Sequence, residues 1–101
     1  MRKDSGVVTL QRTVQEKADL IAKYIAPDPH HAGIYNARLA QYGVSVWAII
    51  SRFERVNGGD IDEAAADYDL PREAVEAALA YYEQHEAAID ARIEAQDAQF
   101  R

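Results

Sequence analysis

The chain has 101 residues, 49% of them hydrophobic and 28% charged, no cysteine, and a formal net charge of −6. That composition fits one small globular domain and excludes a wholly disordered chain, a disulfide framework and thiolate chemistry. Its longest unbroken apolar run, Val46-Trp47-Ala48-Ile49-Ile50, is far short of the ~20 residues of a spanning helix, which excludes a membrane partner.

Met1-Arg2-Lys3 leads into Asp4-Ser5 without an apolar h-region, so no secretory signal is expected and a cytoplasmic location fits. Residues 5 to 12, Ser-Gly-Val-Val-Thr-Leu-Gln-Arg, hold a short β-branched run that reads as a pairing arm. Thr13-Val14-Gln15-Glu16 is a capping box and predicts a helix start. Val14, Ala18, Ile21 and Ile25 then form an apolar stripe at helical period, and Pro27 and Pro29 end the helix because residues before proline leave the α region.

The segment Ala26 to Gly33 carries the strongest loop signal. After it, residues 36 to 39 and 44 to 46 read as a short hairpin around Gln41-Tyr42-Gly43. From Val46 the positions Val46, Ile49, Ile50, Phe53 and Val56 keep helical spacing, with Trp47 as core, and Asn57-Gly58-Gly59 supplies a C-cap. Asp60 and Glu63 cap a short helix over 61 to 68, and Asp69-Leu70-Pro71 makes a turn into the next helix.

That last helix meets no breaker before the C-terminus. Val75, Leu79, Tyr82, Ile89, Ile93 and Phe100 keep a seven-residue repeat, interrupted at Glu86 and Gln96, so one helix from 72 to 100, about 43 Å long, is predicted. Such a helix would outrun a compact unit and lie against a partner. The expected organisation is an N-terminal arm, helix and Pro-rich loop over 1–33 and a core with an extended helix over 34–101, one domain in all.

Residues 61 to 80 match the demands of a helix-turn-helix: Ala65 as the small residue, Asp69 at a turn position that visits the left-handed region, and Leu70, Val75 and Ala78 as anchors. In the usual docking the second helix would present Arg72, Glu73, Glu76, Ala77 and Ala80 to the major groove, where two carboxylates are repelled by phosphate. DNA contact is therefore expected, if anywhere, from cations such as Arg72, Arg52, Arg55 and Arg38, whose alternative reading is ordinary surface charge.

Charge is split along the chain: residues 1 to 57 carry eight Lys/Arg against five Asp/Glu, and 58 to 101 carry three against twelve, about +3 and −9. The acidic half suits a basic partner, or is simply a solvated helix surface. Asp28, His30, His31, His85 and Glu86 are the residues nearest to a metal set, but they lack zinc-ligand spacing, and solvent exposure is the expected role. No catalytic arrangement, phosphate loop, cofactor or small-molecule substrate is indicated, and the chain is read as a non-enzyme.

The stretches Gly43 to Ile50, Gly59-Asp60 through Asp67-Tyr68, and Glu73 to Tyr82, followed by His85 to Asp90, resemble the family catalogued as domain of unknown function 433. The likeness covers roughly residues 33 to 93. Two departures are Pro71, where members often carry Thr or Ser, and the helix before residue 33, which lies outside the family's minimal core.

The resemblance implies a mainly α fold, a homeodomain-like three-helix helix-turn-helix core preceded by a β-hairpin. To this the chain would add an extra N-terminal helix and a long C-terminal helix. It also implies an antitoxin that binds and silences a PIN-like ribonuclease toxin and represses its own operon. From the charge split and the seven-residue repeat, Tyr81, Ile89, Ile93 and Phe100 are expected as apolar contacts to such a toxin and Glu83, Glu86, Asp90 and Glu94 as facing its basic residues, and a homodimer is expected as well. The alternatives are a stand-alone DNA-binding regulator and a homodimeric structural module.

Overall fold

The computed structural model describes residues 12–100, so all of the predicted pairing arm except Arg12 lies outside them. The described chain is mainly helical: α1 (Val14–Tyr24), β1 (Ile25–Ala26), a 3-10 turn (Ile34–Asn36), β2 (Arg38–Leu39), β3 (Val44–Ser45), α2 (Val46–Arg55), α3 (Ile61–Tyr68), α4 (Arg72–Gln84) and α5 (Glu86–Gln99).

The local signals in the sequence set most of the boundaries. At the head of α1 the Glu16 N–H donates to Thr13 Oγ1 at 3.1 Å and the Thr13 N–H donates to Glu16 Oε1 at 2.9 Å, a complete capping box. Pro27 excludes further helix, and the chain leaves Tyr24 as an extended strand. The Asp60 side chain accepts from the Glu63 N–H at 3.1 Å and starts α3. Asp69 adopts φ 56°, ψ 49°, the left-handed position expected of it, and the Leu70 N–H closes the turn on the Ala65 carbonyl at 2.8 Å.

The predicted hairpin is present as β2 and β3, with Arg38 opposite Ser45 and Leu39 opposite Val44. It belongs to a three-stranded antiparallel sheet with β2 at the centre. On its other edge β1 pairs Ile25 with Leu39 and Ala26 with Arg38. The sequence gives no notice of β1, because a two-residue strand carries no alternation to read. Its consequence is mechanical: the sheet fastens the end of α1 to the start of α2.

One core holds the fold, with Leu39, Val46, Ile49, Ile50, Val75 and Ile89 as its largest fully buried side chains. The α2 stripe is as predicted through Phe53, but Val56 at the helix end is 55% exposed. In α1 the stripe is rotated from the predicted one. Val14 is 87% exposed, while Leu20 and Tyr24 are buried and Ile21 packs against them. A Tyr whose hydroxyl finds a carboxylate outcompetes the aliphatic positions for the interior.

The single long C-terminal helix does not form. His85, at φ −134° and ψ 37°, separates α4 from α5, and α5 packs on α2 and on the 3-10 turn. Burial of Ile89 and Ile93 decides this, since a straight helix would leave both in water. Trp47 also departs from expectation. It is only partly buried and stacks under the Arg92 guanidinium, 4.5 Å from the ring centre.

Candidate interaction surfaces

The second helix of the α3–α4 pair presents Glu73, Glu76, Ala77, Ala80 and Glu83 along one stripe, at helical spacing. The middle of that stripe is covered, with Glu73 and Glu83 exposed at its ends. The contact of α1 with α4 is the most extensive helix–helix contact in the fold, and Glu76, Ala77 and Ala80 are all buried.

Cations of the N-terminal segment line the cover. Arg12 donates to Glu76 Oε1 at 2.8 Å and lies 4.0 Å from Glu73; Lys17 reaches Glu83 at 2.8 Å; Lys23 lies 3.7 Å from Glu73. The Tyr24 hydroxyl adds a 3.2 Å bond to Glu73. The Arg12 guanidinium is held above its ordinary range by its hydrogen bond to Glu76 and by that residue's charge. The charge split read from the sequence is thus partly neutralised inside one molecule.

The cations proposed for DNA are occupied in the same way. Arg72 donates to Asp62 at 2.6 Å and Arg52 to Asp67 at 2.9 Å, and Arg55 grips both oxygens of Asp97 at 2.8 and 2.6 Å. Arg38 stands apart from them, half-buried in β2. Arg52 and Arg55 line one groove with Trp47 and Tyr68, and neither Arg38 nor Arg72 lines it. Asp67 also accepts from Asn57 Nδ2 at 2.8 Å, and the two bonds, Asn57's first, hold its carboxyl below the usual range.

The residues assigned to a partner divide into two groups. Ile89 and Ile93 are 0% and 6% exposed and belong to the core, so they are not contacts for another protein. Tyr81 is half-buried and donates to the Ile34 carbonyl at 2.9 Å, and Glu83 is already paired with Lys17. Glu86, Asp90 and Glu94 remain exposed at successive turns of α5, and Phe100, 79% exposed, stands just beyond them.

Glu54 of α2, which the sequence did not single out, joins this acidic ridge. Its carboxyl is raised above the ordinary 4.5, first by partial desolvation of its carboxyl end and then by Asp90, with Glu86 adding repulsion and Arg55 relieving some of it. Tyr82 lies within the same group. Its hydroxyl donates to Asp90 Oδ1 at 2.7 Å, and burial first, then that bond, pushes the phenol well above its usual value. Only the folding of α5 back onto α2 brings Glu54 to Glu86 and Asp90, so no sequence spacing could have announced it.

Asp28 accepts from the backbone N–H groups of His30 and His31 at 2.7 and 3.1 Å, which makes this acidic–histidine stretch a turn. His85 stacks on Tyr81, ring centres 4.5 Å apart. Among the described residues no group of three or more His, Cys, Asp or Glu side chains is gathered for a metal ion, and no helix is long and apolar enough to cross a membrane. Comparisons with protein-family models, curated proteins and solved structures give no match for this chain.

Proposed function

We propose that the chain is a non-enzymatic, antitoxin-like protein that binds a basic protein partner, of the PIN-like ribonuclease class, through the acidic ridge of Glu54, Glu86, Asp90 and Glu94. In this reading α2, α3 and α4 are a homeodomain-like scaffold and α5 carries the contact. The observation that carries it is the distribution of ion pairs. Six acids elsewhere, Asp62, Asp67, Glu73, Glu76, Glu83 and Asp97, each face a cation of the same chain, and Glu16, Asp19, Asp60 and Glu63 accept hydrogen bonds from neutral groups, whereas Glu54, Glu86 and Glu94 share the ridge with no ion pair within 4.0 Å among the described residues.

Crowded carboxylates cost stability, and a partner's cations would relieve that cost on binding. The stand-alone DNA regulator is less well supported, because the groove-facing stripe of α4 lies under α1 and three of the four candidate arginines are paired. The test is co-expression with a PIN-like ribonuclease. Glu86→Lys combined with Glu94→Lys should abolish neutralisation while leaving the circular dichroism and melting curve close to wild type. A folded double variant that still silences the nuclease would rule the ridge out.

A further inference from the structure

We propose that α5 is an exchangeable element: two copies of the chain straighten α4 into α5 through His85, and each seats its α5 against α2 and the 3-10 turn of the other. The partner is a second copy of this chain, and the inference does not rest on the function proposed above.

The occupant of the seat is already in view, because a second copy offers the same helix that fills it now. α5 packs on α2 and the 3-10 turn, and far less on α4, its neighbour in sequence. Ile89 and Ile93 enter the core, and Asp97 pairs both carboxylate oxygens with Arg55. Arg92 lies on Trp47 and reaches Asn36 Oδ1 at 3.3 Å. None of these contacts uses the bend itself, so an α5 arriving from a partner satisfies each of them.

The hinge is one residue wide. α4 ends at Gln84 and α5 begins at Glu86, with His85 alone between them. No Gly or Pro stands between Arg72 and Phe100, and Ala87 and Ala88, the best helix formers, follow the hinge at once. The bend also leaves a helix start without a cap, since no side chain accepts from the first-turn N–H groups of α5. In a continuous helix the N–H groups of residues 86 to 88 meet the carbonyls of residues 82 to 84. The straight helix over 72 to 100 that the sequence predicts is the conformation of the exchanged form.

Exchange therefore keeps the contacts of α5 and removes an uncapped end. Against it stand the entropy of association and the repulsion of two chains that each carry −6. Concentration and salt set that balance. Ile89 and Ile93 must leave the core before α5 changes seats, so a native monomer stays a monomer and exchange takes place on refolding.

The first test refolds wild type from urea at about 10 µM and at about 1 mM chain, in about 0.3 M salt, and reads mass by light scattering after size exclusion. The dilute sample should be monomeric, and the concentrated one should hold a dimer that outlasts dilution. The second test asks whether α5 is what is exchanged. Arg55→Asp and Asp97→Arg each place like charges at the contact of α2 with α5, on side chains 53% and 35% exposed, so each variant alone should fold with the wild-type circular dichroism spectrum. In a mixed exchanged dimer the two altered side chains face each other, and the native Arg55 of one chain faces the native Asp97 of the other. Refolded together, the variants should give a heterodimer at least about fivefold more abundant than either homodimer, counted by native mass spectrometry. A dimer whose variants mix at random would be joined by another surface, and would overturn the exchange as fully as finding no wild-type dimer at either concentration.

Discussion

At the scale of single residues, the tightest constraints are hydrogen bonds placed where charge would fail. Asn57 is 5% exposed at the end of α2, and its Nδ2 donates to Glu63 at 3.0 Å and to Asp67 at 2.8 Å. Asn57→Asp would replace both donors with a third carboxylate, and the cost should be about 3 kcal/mol in the urea unfolding free energy at pH 7. The deficit should shrink at pH 3, where the new acid is protonated. Glu54 has the opposite sign. Because its folded pKa is raised above 4.5, the unfolded chain gives up the proton first as pH rises, so the charged residue erodes stability above that point. Glu54→Gln should therefore stabilise by up to about 1 kcal/mol at pH 7 and not at all below pH 4, read as melting temperature against pH. A variant equally stabilised at both pH values would mean that charge crowding is not the cause.

At the scale of elements, the corrections reduce to which face of a helix finds a neighbour. Ile89 is fully buried and Phe100 is 79% exposed, though the seven-residue repeat gave them one role. Ile89→Ala should cost about 3 kcal/mol in chemical denaturation, and Phe100→Ala less than about 0.5 kcal/mol. Comparable losses would mean that α5 extends as a single apolar contact helix. For α1, Thr13→Ala should cost about 1 kcal/mol, because its hydroxyl accepts the Glu16 N–H, which has no intrahelical acceptor at the start of a helix. What was legible in the sequence was local: Thr13 with Glu16, Asp60 with Glu63, Pro27, and the left-handed Asp69 each announce a boundary through chemistry within four residues. What was not legible was relational. Period alone favoured Val14 over Tyr24 in α1, because the hydroxyl's partner, Glu73, lies 49 positions away in sequence. The ridge was half legible, since Glu86, Asp90 and Glu94 share a helix face, but Glu54 enters only through the tertiary fold.

At the scale of the whole molecule, the question is why a chain with no breaker between 72 and 100 bends at His85. The described body measures 36 × 29 × 25 Å, so a helix of about 43 Å would project from it with Ile89 and Ile93 in water. Histidine has no strong preference for leaving a helix, and the bend must come from what lies on either side of it. Several ties hold α5 in place: burial of the two isoleucines, Tyr82 on Asp90, Arg55 on Asp97, and Arg92 on Trp47 and Asn36. If those ties and not His85 set the bend, His85→Ala should leave the small-angle scattering curve unchanged, although it joins two helices with a better helix former. Conversely, Ile89→Asp with Ile93→Asp should free α5 and raise the radius of gyration above the compact value of about 13 Å expected for a chain of this length. An expanded His85→Ala protein would place the cause in the local backbone. An unexpanded, still folded Asp double variant would show that the polar ties suffice. The distinction matters for function, because the acidic ridge exists only while the bend holds: straighten α4 into α5, and Glu54 is parted from Glu86 and Asp90.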